Sequence, residues 1–276
     1  MIKDAKITIR AVHKELNYLL RRPRRLLFNH VPKCAGSTLT EYLFAHYPER
    51  LVFETHGRRP LQSVRHFQAL PQAERYRYRL VLGHLAHDLL DYIHPDTLTF
   101  TVLRHPLDRL ISHYFFVRQD RHHYLHQWVM ESDISLSEYI TSGRSEELQN
   151  WYTTHFSGLP KTEIQHNPDQ AIDAALNTIL DRYDIIGFQD DIMAVTEQVQ
   201  TSARLFHPFD GRIDNRTPYR LNLADIHDTV QKTLAQANEL DLALYALLRE
   251  KIHSLSTSKL FHSTRYMPPK VSERVS

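Results

Sequence analysis

Cysteine occurs once in the 276 residues, at Cys34, which excludes an internal disulfide framework and a zinc site built from several cysteines. A lone thiol suits a reducing compartment. No run of about eighteen apolar residues exists, and residues 1–22 carry charges throughout, so neither a membrane anchor nor a secretory signal is expected. Net charge is also nearly absent: 34 Lys+Arg against 32 Asp+Glu give +2. Overall charge therefore selects no partner class, and no nucleic-acid partner is expected. The local runs Arg21-Arg22-Pro23-Arg24-Arg25 and Arg75 to Arg79 either attract an acidic substrate or nucleotide or are solvated surface. Repeats, low-complexity tracts and a compositional break that would mark a linker are missing too. With 42% hydrophobic residues, the chain reads as a single domain over 1–276, with a core from about 26 to about 250 and polar extensions.

The stretch that stands out is Phe28 to Leu43, FNHVPKCAGSTLTEYL. Leu26, Leu27 and Phe28 predict a short buried strand. Val31 and Pro32 leave it, and Lys33-Cys34-Ala35-Gly36-Ser37-Thr38 follows as a loop of small residues with one cation. Small side chains let main-chain N–H groups approach a ligand, and Ser37 and Thr38 add hydroxyl donors where the next helix starts. Leu39, Leu43 and Tyr47 recur every four residues. That predicts a helix with one face on a sheet and its partial positive N-terminal charge aimed at the loop. Such a loop suits a phosphate or sulfate; the plainer alternative is an ordinary strand-to-helix turn. A Walker A loop needs its lysine after the second glycine of Gly-x-x-x-x-Gly-Lys-Ser/Thr. Here Lys33 precedes Gly36, the sole glycine of the loop, which weighs against an ATPase or GTPase.

Leu51-Val52-Phe53 predicts a second strand ending at Glu54-Thr55-His56, and Leu80-Val81-Leu82 a third, ended by Gly83-His84. Open α/β sheets place ligand-binding groups at the carboxyl ends of strands. That position singles out His84 among 19 histidines as a candidate base for an attacking hydroxyl. Glu54, His56 and His87 are the other candidates. Thr99 to Phe116 predicts a strand running into Arg104-His105-Pro106, where proline opens a helix. Leu107, Leu110, Ile111 and Tyr114 form its apolar face, and Asp108, Arg109 and Ser112 the opposite polar face. Arg104 and Ser112 then converge on one anion; alternatively Arg104 pairs with an acid and Ser112 is merely exposed. His122 and His126 have i, i+4 spacing, but no carboxylate accompanies them, so no metal site is assigned. Asn167-Pro168 predicts a capped helix with Ile172, Leu176, Ile179 and Leu180 inward. Asp184 to Phe188 predicts a further strand, and Leu240 to Ile252 a last amphipathic helix with a loosely attached tail beyond Lys251.

The Lys33 loop resembles the 5'-phosphosulfate loop of sulfotransferases, particularly the Golgi glycan sulfotransferases and their bacterial relatives, which reads His-x-Pro-Lys-x-Gly/Ala-Gly/Ser-Ser/Thr-Ser/Thr. Leu103, Arg104, Pro106, Arg109, Ser112 and Tyr114 match the family's Leu-Arg-x-Pro-x-x-Arg-x-x-Ser-x-Tyr, whose arginine and serine bind the donor's 3'-phosphate. Gly83-His84 resembles the element that carries the catalytic histidine in the uronyl 2-O-sulfotransferase branch, whereas other branches carry a base glutamate near the place of Glu54. Asn150 to Gly158 resembles a segment Asn-x-Gln-Thr-Arg-x-Leu-Ser-Gly near the acceptor cleft, but Tyr152 replaces its glutamine and Thr154 its arginine. Asn215-Arg216-Thr217 resembles a loop that closes over the nucleotide. The likeness runs from about Leu26 to about Leu248.

It implies an α/β fold with a P-loop-like open parallel sheet flanked by helices, and transfer of a sulfuryl group from 3'-phosphoadenosine 5'-phosphosulfate (PAPS) to an acceptor hydroxyl, most readily on a carbohydrate. The product nucleotide would be 3'-phosphoadenosine 5'-phosphate (PAP). The donor would be held by Lys33, Cys34, Ala35, Gly36, Ser37, Thr38, Arg104 and Ser112, with His84 and Lys33 catalytic. No metal is required, since Lys33 can do what magnesium does in nucleoside triphosphate sites. Eukaryotic relatives are anchored in the Golgi; the absence of an anchor here points to a bacterial, cytoplasmic enzyme. Small alcohols or lipids remain alternative acceptors, and a kinase-like enzyme or a non-catalytic nucleotide-binding protein are alternatives of other classes.

Overall fold

The computed structural model describes residue 12 and residues 14–212 and 221–263, with the backbone alone from 255 onward. Asn215-Arg216-Thr217 and the tail from 264 lie outside the described residues. Five short apolar segments form one parallel sheet: β1 (Leu26–Asn29), β2 (Val52–Thr55), β3 (Leu80–Gly83), β4 (Leu98–Leu103) and β5 (Ile185–Phe188). Their order is β2-β3-β1-β4-β5. Central β1 pairs Leu26 with Leu80 and Leu98, and Asn29 with Gly83 and Thr101. Helices cover both faces: α1 (Gly36–Phe44), α2 (Pro60–Ala69), α3 (Pro106–Gln119), α4 (Trp151–Ser157), α5 (Pro168–Arg182), α6 (Ile192–Ala203) and α7 (Glu239–Ser263). This is the helix-flanked α/β architecture expected from the sequence.

Burial on both faces explains why β1, β3 and β4 read as continuous apolar runs. Successive side chains alternate between faces. Leu26 and Phe28 pack with Leu39 and Leu43 of α1 and Val195 and Val199 of α6. Leu27 faces the other way, onto Val64 and Phe67 of α2 and Leu89. Phe28 stacks on Phe100 of β4 at 4.5 Å.

Several expectations are corrected. Leu51 belongs to a helical turn before β2, and α1 stops at Phe44, short of Tyr47. Tyr47 is nevertheless buried, its hydroxyl donating to the Arg24 carbonyl at 2.7 Å. Asn167 precedes α5 without capping it through its side chain. The last helix runs past Lys251 to Ser263. Arg109 is the largest departure: it is fully buried, not part of an exposed polar face. Its guanidinium lies over the rings of Trp151 (5.4 Å) and Tyr152 (5.2 Å), and its Nη2 donates to the Glu147 carbonyl at 2.7 Å. An aromatic floor and a carbonyl thus replace water around this cation.

Two helix starts cap each other. The buried Asp241 carboxylate accepts from the main-chain N–H groups of Tyr152 (2.9 Å) and Thr153 (2.8 Å) and from the Thr153 hydroxyl (3.0 Å). In return, Asn150 Oδ1 accepts from Leu240 N at 3.1 Å. Asp241→Ala would strand these donors in the interior. The expected cost is about 3 kcal/mol, seen as a lower urea midpoint at unchanged slope, with Asp241→Asn intermediate.

Candidate active site

From β1 the chain moves outward to β2 and returns through β3, whereas from β4 it moves the other way to β5. Neighbouring β1 and β4 therefore have diverging connections, and the crevice beyond their carboxyl ends is where open α/β sheets hold ligands. The Lys33 loop leaves β1 at this crevice, Arg104 follows β4, and His84 follows β3.

The loop is shaped by two non-glycine residues in the left-handed region, Lys33 (φ 68°) and Ala35 (φ 62°). Alternation of this kind turns successive N–H groups to one side, as in anion-binding nests. Gly36 opens α1, and a methyl on its α-carbon would overlap the His30 ring, so the close approach demands glycine. No acidic residue lies in the first turn of α1, and no side chain caps it. Ser37 is exposed and Thr38 buried. The donor set of cation, hydroxyls and helix N-terminus thus fits a phosphate or sulfate ester.

Cys34 turns inward, its Sγ 3.3 Å from the Tyr152 hydroxyl, and burial pushes its thiol up. Its main-chain N–H donates to the Val31 carbonyl at 3.3 Å, so Cys34, expected among the anion-binding residues, braces the loop instead. Tyr152 also donates to the Arg104 carbonyl (2.9 Å) and accepts from Arg104 N (3.3 Å). One hydroxyl therefore ties the β1 loop to the end of β4. Arg104 closes the connection, its Nη1 3.3 Å from the Lys33 carbonyl. Ser112 is buried within α3, six residues beyond Pro106. The Lys33 ammonium lies 3.8 Å over the Phe116 ring, on the same helix.

His84 Nδ1 is 2.9 Å from the His30 carbonyl. A carbonyl only accepts, so Nδ1 carries the proton and Nε2 of the neutral ring keeps its lone pair. The Thr55 hydroxyl donates to the His84 carbonyl at 2.6 Å, holding the backbone. Gly83 (φ 119°) permits this contact, since a side chain there would overlap Thr55. Burial lowers the His84 pKa, opposed by the His30 hydrogen bond and by Glu147, while Lys33 lowers it further. His30 itself stacks on Phe28 and meets the His84 ring at 4.3 Å, and burial lowers its pKa well below the ordinary value.

The other candidates are placed differently. Glu54 is exposed on edge strand β2; partial desolvation raises its carboxyl, with His56 opposing. His56 is exposed, its Nδ1 accepting from Arg58 N at 3.3 Å. His87 is half-buried, its Nδ1 2.8 Å from the Tyr183 hydroxyl, and burial lowers it to about 4. His126 Nδ1 donates to the Val117 carbonyl at 2.7 Å.

Residues that sequence reasoning missed act on His84 and Lys33: Glu147 on the first and His123 on the second. Glu147 accepts from His113 Nε2 at 3.2 Å. Burial alone would raise its carboxyl, but His113, Arg109 and His84 outweigh that and pull it down to about 2. It remains an anion throughout the neutral range. His123 stacks edge-on against His113 at 5.5 Å and is lowered to about 4, mainly by burial. His30 was open to the same strand-end reasoning that picked out His84, whereas no local pattern marks Glu147.

No curated protein matches the chain at a significant level. A family model described as the sulfotransferase family matches residues 17–247. That match spans most of the chain, including the Lys33 loop, Gly83-His84 and the Arg104 to Ser112 segment, and the chain belongs to the sulfotransferase family.

Proposed function

We propose that this protein transfers the sulfuryl group of PAPS to a hydroxyl of a carbohydrate acceptor, with His84 as general base. The observation that carries the reading is the meeting of the Lys33 loop, Arg104 and His84 beyond the ends of three adjacent strands. Bound there, PAPS would supply the sulfuryl group. Main-chain N–H groups from Ala35 to Thr38, with the Ser37 and Thr38 hydroxyls, hold its 5' end. Arg104 and Ser112 hold the 3'-phosphate. The Lys33 ammonium stabilises negative charge that builds on the leaving side, and His84 Nε2 takes the acceptor proton. His84 is preferred to Glu54, which is exposed on the edge strand, and to His87, whose ring is bonded to Tyr183. The carbohydrate acceptor rests on the likeness of Gly83-His84 to the uronyl 2-O-sulfotransferase element. A cytoplasmic setting agrees with a single buried thiol.

The test is transfer of radiolabelled sulfuryl from PAPS to a panel of uronate-containing oligosaccharides, simple sugars and small alcohols. Labelled oligosaccharide, formed without added magnesium, is the expected outcome. Label on the alcohols alone would move the acceptor out of the carbohydrates.

A further inference from the structure

A helix preceding β1 covers residues 14–21, with Val12 in the same helical conformation. Its amphipathicity is inverted relative to an ordinary surface helix. The side against the protein is polar or aromatic: Lys14 Nζ donates to the Phe44 carbonyl at 3.2 Å, Glu15 pairs with Arg50 at 2.9 Å, and buried Tyr18 packs on Tyr47. The side facing away carries Val12, Leu16, Leu19 and Leu20, exposed by 60%, 50%, 60% and 72%. Positions i, i+4, i+7 and i+8 make one stripe about 100° wide, the form a helix takes when it buries that face. Nothing in the described chain covers it.

Cations follow the stripe directly. Arg21, Arg22 and Arg24 are exposed. Arg25 and Arg79 lie beside them, donating to the carbonyls of Tyr78 (2.6 Å) and Pro23 (3.2 Å). Among the described residues, nearby acids are fewer: Glu15 is engaged by Arg50, Asp184 accepts from Thr99 N at 2.7 Å, and Asp96 is exposed. Exposed leucines bordered by exposed arginines complement an anionic lipid surface, which takes apolar side chains below its headgroups and cations at them. The stripe itself, Val12, Leu16, Leu19 and Leu20, carries no acid that a second copy could set against these arginines. Among the described residues no helix is long and apolar enough to cross a membrane, so this one would lie in the interface.

We infer that the helix of residues 14–21, with Val12, is a peripheral anchor that docks the protein on anionic membrane surfaces through Val12, Leu16, Leu19, Leu20 and the following arginines. The anchor sits at the amino end of β1, and the candidate active site lies beyond its carboxyl end, open to the aqueous side.

Co-sedimentation of the full chain with vesicles of phosphatidylcholine, alone or mixed with phosphatidylglycerol, tests it. Anionic vesicles should bind on the order of a hundredfold more tightly, given three exposed arginines. Leu16→Ser/Leu19→Ser/Leu20→Ser should abolish binding, and Arg21→Ser/Arg22→Ser/Arg24→Ser should erase the lipid preference, both with unchanged circular dichroism because the side chains are exposed. Equal partition of wild type and the leucine variant would overturn the inference. So would a wild-type dimer that the leucine variant converts to monomer, with neither protein binding vesicles, because the stripe would then face a second copy.

Discussion

His84→Asn is expected to lower kcat by about three orders of magnitude while leaving PAP affinity within a factor of about three. Asparagine can still donate an N–H to the His30 carbonyl, which in the native protein accepts from Nδ1 at 2.9 Å. The strand end therefore keeps its anchor, and only the lone pair at Nε2 is lost. The pH profile of the native enzyme carries the same assignment. Burial and Lys33 lower the His84 pKa, and a general base must be neutral to act. Activity should therefore be level around neutrality, with its acid limb below the ordinary histidine value of about 6.5. Steady-state rates from pH 4.5 to 9 would show this. An acid limb above 7, or a His84→Asn enzyme of near-native kcat, would move the base elsewhere.

Lys33→Ala is expected to reduce kcat by two to three orders of magnitude, a loss of about 3 to 4 kcal/mol of transition-state stabilisation. The ammonium is held over the Phe116 ring, where water is partly excluded and its charge acts at short range. Because charge on the leaving oxygen appears only as the bond to sulfur breaks, donor affinity should change far less than turnover. The substitution has a second readout. Lys33 lowers the His84 pKa, so its removal should shift the acid limb of the rate profile upward. A loss of PAP affinity that accounted for the whole effect would make Lys33 a binding residue only.

Both stretches that carry the candidate site were legible because each combines an apolar strand with a compositional break. Leu26 to Phe28 gives way to Lys33-Cys34-Ala35-Gly36, and Leu98 to Leu103 to Arg104-His105-Pro106. Parallel strands buried on both faces announce themselves by continuous apolar runs, and their ends were misplaced by a residue or so, as with Leu51. Arg109 was misread because a charge on a helix is ordinarily assigned to the water side. Its burial depends on Trp151 and Tyr152, about forty residues further along the chain. Distance in sequence also hid Glu147, which meets His113 from a helical turn with no periodic signal, and Asp241, which caps a helix begun 90 residues earlier. Tyr152 stood out only as a departure from the family segment. Its hydroxyl proves to join Cys34 and Arg104, a role that required both ends in space.

In the proposed function, the Lys33 loop and Arg104 form the two ends of one site for a nucleotide phosphorylated at both 3' and 5' positions. Calorimetric titration of the purified protein with PAP, beside ADP and ATP with magnesium, tests it most directly when repeated on Arg104→Ala. Micromolar binding of PAP alone, weakened at least tenfold by the substitution, is the expected result. A preference for ATP, no binding of any of the three, or PAP binding indifferent to Arg104 would contradict it.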